Sequence, residues 1–78
     1  MTNYHKVYKF GNGYGASVVC GKMTYGGEHG LFEVAVLDAA GEIVYDTPVT
    51  GDVIGWLDFD GVAKVLREIQ NLPKKTDV

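Results

Sequence analysis

"YHKVYKFGNGYGASVVC", residues 4–20, decides how this chain begins to fold. Its first seven residues alternate aromatic or β-branched side chains with lysines, the period of a β-strand. Tyr8 and Phe10 fall on one face, and His5, Val7 and Lys9 on the other. "GNG" follows, and Asn12-Gly13 is the favoured pair for a two-residue type I′ turn, which needs positive φ at both positions. Beyond the turn, Tyr14, Ala16, Val18 and Cys20 share one side of a second strand. The stretch therefore predicts a β-hairpin.

Working outward, "LFEVAVLD" at 31–38 is apolar on both faces and reads as a central strand. "DAAGE" then suits a type I turn with Gly41 in the left-handed region, leading into a fourth strand, "EIVYD", at 42–46. Thr47-Pro48 ends that strand because proline donates no ladder hydrogen bond. Residues 49–57 read as a connection. From Phe59 the period changes to that of a helix, with Phe59, Val62, Ala63, Leu66, Ile69 and Leu72 on one stripe. Asp58 is the expected N-cap and Leu72-Pro73 the stop. The predicted fold is α+β, a four-stranded antiparallel sheet of two hairpins packed by one C-terminal amphipathic helix (ββββα). A single domain over 1–73 with a frayed tail at 74–78 is expected.

The chain has 78 residues, 46% of them hydrophobic and 12% aromatic, so one small globular domain is the reading. Such a domain buries only about 60% of its unfolded surface. One cysteine, Cys20, excludes an internal disulfide and zinc sites built on several cysteines. It reads as a small buried hydrophobe. The first ten residues hold no apolar run of signal-peptide length, and no run approaches a membrane span, so a cytoplasmic location is expected.

Charge is segregated. Residues 1–27 hold Lys6, Lys9 and Lys22 and no acid, whereas 28–60 hold eight acids and no lysine or arginine. Acids at turns and at a helix start cap backbone groups, which accounts for Asp38, Asp46, Asp52 and Asp58. They also form a candidate patch for a basic partner. The loop "GKMTYGGEHG", 21–30, lacks the residues of a phosphate-binding loop and is followed by no helix. It displays Tyr25, Glu28 and His29, a contact surface or a plain connection. No motif ties Ser17, Thr24, Cys20, His5 or His29 into a nucleophile–base pair, so no catalytic residue is assigned. No cofactor and no metal are expected. Trp56, just before the helix, reads as a staple between helix and sheet; exposed, it would become the strongest contact residue.

Two stretches, "HKVYKFGNGYGASVV" and "TPVTGDVIGWLDFDGVAKVLREIQNLP", resemble small uncharacterised proteins of tailed bacteriophages. That group shares a KVYKF-type first strand, an NGYGASVV second strand and a C-terminal helix ending in leucine-proline. The likeness covers about half the chain directly and its motifs are structural, so it transfers no site residues. It implies a viral accessory protein in a bacterial cytoplasm.

The expected function is a non-catalytic interaction protein that binds a bacterial host or phage protein, modulating a host process or defence system. The expected partner-binding residues are Tyr25, Glu28, His29, Asp38, Glu42 and Asp52, joined by Tyr8 and Phe10 if a sheet face is open. The alternatives are a nucleic-acid module using the basic, aromatic sheet face and a small-ligand binder using loop 21–30. The acidic middle of the chain disfavours nucleic acid. Free sheet edges would allow a homodimer.

Overall fold

The computed structural model describes residues 4–21 and 29–74. Strands β1 (Tyr4–Lys9), β2 (Gly15–Cys20), β3 (Phe32–Leu37) and β4 (Ile54–Leu57) are followed by one helix, α1 (Phe59–Gln70). The sheet order is β1-β2-β3-β4 and every neighbouring pair is antiparallel. This is the α+β sheet-and-helix architecture that the periodicities predict, with one strand in a different place.

Register fixes the faces. Lys6 pairs with Val18 and Val18 with Val34; Tyr8 pairs with Ala16 and Ala16 with Val36. That face also carries Cys20 and Phe32, and α1 covers it with Val65 and Ile69 fully or nearly buried. Val62, Leu66 and Leu72 pack around them. The expected stripe is thus shifted: Phe59 and Ala63 are exposed and Val65 is inside. Phe59 occupies the first helical turn, where its ring touches Phe32 at 5.3 Å but stays largely exposed. The helix packs on β2, β3 and β4, so β1 projects beyond it at one edge.

The fourth strand is not at 42–46. That segment makes one bridge, Leu37 to Ile43, with the Val44 N–H donating to the Val36 carbonyl at 2.8 Å, and then leaves the sheet. Side-chain parity explains why. Val44 shares the helix-side face with Val36, so a continued ladder would bring Asp46 beside Val34, beneath the helix. Ile54 takes that place opposite Val34 and Leu57 lies opposite Phe32, both packed on the core.

The first hairpin turn also differs from expectation. Gly13 has φ 87° but Asn12 is not in the positive-φ region. Phe10 N–H donates to the Tyr14 carbonyl at 2.9 Å and Gly13 N–H to the Phe10 carbonyl at 3.4 Å, a three-residue loop ending in a left-handed glycine. The second turn repeats the pattern over Asp38–Glu42 with Gly41 at φ 84°, as expected. The Asn12 side chain reaches across to the helix instead. Its Nδ2 donates to the carbonyls of Ile69, Gln70 and Leu72 at 2.8, 3.2 and 3.1 Å, closing the end of α1. At the other end Asp58 is the N-cap, its carboxylate accepting from Gly61 N–H at 2.7 Å.

Candidate functional site: an aromatic end of the sheet

The start of β1, the end of β2, the start of β3, the end of β4 and the start of α1 meet at one end of the molecule. Three rings form a row there. Tyr4 meets Phe32 edge-on with centroids 5.5 Å apart, and Phe32 meets Phe59 at 5.3 Å. Phe32 is buried, whereas Phe59 is 75% exposed. Because the helix stops short of β1, an apolar groove of about 290 Å³ opens between them, walled by Tyr4, Tyr8, Phe59 and Val62 over Val18 and Phe32. Lys6 stands on the same strand face, its Nζ 4.9 Å from the centre of the Tyr8 ring, a cation–π contact.

Trp56 is at the same end. Between the Val34–Ile54 and Phe32–Leu57 pairs, Glu33 faces two residues, Gly55 and Trp56, so β4 carries a bulge. Trp56 has φ 60° and is 60% exposed, its ring stacked on His29 at 5.3 Å. The expected core staple is therefore overturned. A bulky residue in the left-handed region costs about 1–2 kcal/mol, and here no burial of the indole in the core offsets it.

The residues singled out from sequence do not form one site. Tyr25 and Glu28 lie outside the described residues. His29 is exposed against Trp56, at the aromatic end. Asp38 and Glu42 sit at the opposite end, where the Asp38 carboxylate accepts from the N–H groups of Ala40 and Glu42 at 2.9 and 3.0 Å and so shapes the turn. Asp52 is exposed in the connection before β4, its N–H donating to Thr50 Oγ1. Tyr8 and Phe10 are half-buried and stacked at 6.5 Å. They lie on the helix-side face, at the margin that α1 leaves uncovered. Sequence reasoning assigned Phe59 and Trp56 to the core; glycine at 55, a residue common at bulges, was the signal that Trp56 could turn outward.

One polar contact also escaped the sequence. Ser17 Oγ and His5 Nε2 lie 3.3 Å apart across β1 and β2 on the face away from the helix. Glu33 is in the same row, but Val19 stands between it and His5, two strand spacings or about 9.6 Å across. Among the described residues no group of three or more His, Cys, Asp or Glu converges as a metal site. No helix among them is long and apolar enough to cross a membrane.

Compared with protein families, curated proteins and solved structures, the chain matches none.

Proposed function

We propose that this chain is a small non-catalytic interaction protein of the phage-accessory type its sequence resembles, binding a bacterial host or phage protein through the aromatic end of its sheet. The observation that carries this reading is Trp56, an exposed indole kept in a left-handed backbone conformation at the end of the sheet that also carries the rings of Tyr4, Phe32 and Phe59. Aromatic side chains are enriched among the residues that dominate interface energetics, and local backbone strain concentrates at functional sites. Modulation of a host process is the biological form this binding would take.

The test is affinity capture from bacterial lysate with the wild-type chain beside Trp56→Ala and Phe59→Ala, both checked for a native thermal transition. A bacterial protein retained by the wild type and lost from both variants supports the proposal. Equal retention by all three chains rejects this surface.

A second reading is single-stranded nucleic acid. Tyr4, Lys6 and Tyr8 share one face of β1, two stacking platforms with a cation between them. Affinity for a labelled oligonucleotide that falls steeply with salt and is lost in Lys6→Ala would favour it. No shift at about 50 mM salt would end it.

A further inference from the structure

The chain carries two sheet edges that are incomplete and opposite in character. β1 is the outer strand, and apart from the half-buried Tyr8 its residues are exposed. Phe10 N–H points inward to β2, and backbone direction alternates along an antiparallel strand, so the N–H and C=O groups of His5, Val7 and Lys9 point outward. Residues 42–44 run beside β3 on the side away from β2, at the opposite edge, and the chain leaves the sheet after Val44. There Glu42 C=O and Val44 N–H face inward to the Asp38 N–H and the Val36 C=O, so the N–H and C=O of Ile43 face outward. Ile43 is 42% exposed and Tyr45 57%, although the segment has the alternation of a strand.

We propose that copies of this chain associate head to tail, with β1 of one copy pairing antiparallel to residues 42–46 of the next. One register satisfies backbone, shape and charge together. Setting Val7 opposite Ile43 brings an outward-pointing residue of each edge into a hydrogen-bonded pair. Drawing Tyr45 and Asp46 into line with the added strand sets Tyr45 opposite His5 and buries exposed apolar side chains on the face away from the helix. Lys6 then stands opposite Val44, diagonal to Glu42 and Asp46, within reach of both carboxylates for a long side chain. The faces agree, because Lys6 and Val44 each lie on the helix side of their own sheet. Pairing of two β1 edges is disfavoured, since it gathers the lysines of both copies along one seam. The edges joined are different surfaces, so the assembly is heterologous and grows as a chain or closes as a ring.

Sedimentation velocity from micromolar to millimolar protein tests this. The wild type should gain mass with concentration and lose the gain at 0.5 M salt. Lys6→Glu/Lys9→Glu sets acid against acid and Glu42→Lys/Asp46→Lys sets base against base, so each alone should stay monomeric. Mixed in equal amounts, they should associate again. Val7→Pro removes an outward N–H from β1 while leaving the inward ladder in place, and should also be monomeric. All these positions are exposed, and a native circular dichroism spectrum for each variant keeps the comparison valid. A wild type of monomer mass at all concentrations overturns the proposal, as does association unchanged in both charge-reversed variants. Association lost on charge reversal but kept in Val7→Pro rejects the strand pairing.

Discussion

The Asn12 side-chain amide lies 2.8 Å from the carbonyl oxygen of Ile69, 57 residues further along the chain. A turn residue of the first hairpin thereby closes the end of the only helix among the described residues, while its Oδ1 accepts from Tyr14 N–H at 3.0 Å. The contact ties the distal end of the sheet to α1, and Ile69, fully buried, is held directly beneath it.

Asn12→Ala should lower stability by about 1–2 kcal/mol, because partly buried carbonyls lose their donor. Asn12→Asp should cost more. It keeps the acceptor for Tyr14 but sets a carboxylate against three carbonyls at the negative end of the helix dipole. Urea unfolding of the three chains checks the order; Asp at or above Ala in stability would remove the capping role.

Trp56 separates backbone strain from binding. Trp56→Gly should be more stable than Trp56→Ala by about 1 kcal/mol, since glycine adopts positive φ without steric cost. Both variants should lose partner capture. Thermal melting of the pair measures the difference, and equal stability would mean that the bulge relaxes when the indole is removed.

Two glycines should respond differently. A Cβ at Gly15 would sit 2.5 Å from the Tyr8 carbonyl oxygen, so Gly15→Ala must push β1 from β2 and should cost about 1–3 kcal/mol. Gly41 has open space around it, and Gly41→Ala should cost only the left-handed backbone term, about 1–2 kcal/mol. Amide exchange along β1 distinguishes them: it should quicken in the first variant and stay unchanged in the second.

Asp58→Ala should remove about 1 kcal/mol through loss of the bond to Gly61 N–H, and Asp58→Asn should retain most of it. Helicity and denaturant midpoint report the effect. A neutral Asp58→Ala would mean that packing of Val62 and Val65 alone fixes the helix start.

What the sequence determined by itself is local. Alternation in 4–10 and 14–20 and an apolar run at 31–38 specified three strands, Gly41 specified its turn, and Asp58 specified where the helix begins, because each signal acts within about four residues of its cause. Competition was decided only in the folded molecule. "EIVYD" has every local mark of a strand, yet its parity would place Asp46 against Val34 under the helix, so Ile54 and Leu57 complete the sheet in its stead. The same packing turned Trp56 outward through a bulge, left Phe59 exposed at the helix start and set the aromatic groove where α1 stops short of β1. Strand propensity belongs to a segment; burial belongs to the whole set of neighbours that the tertiary structure brings together.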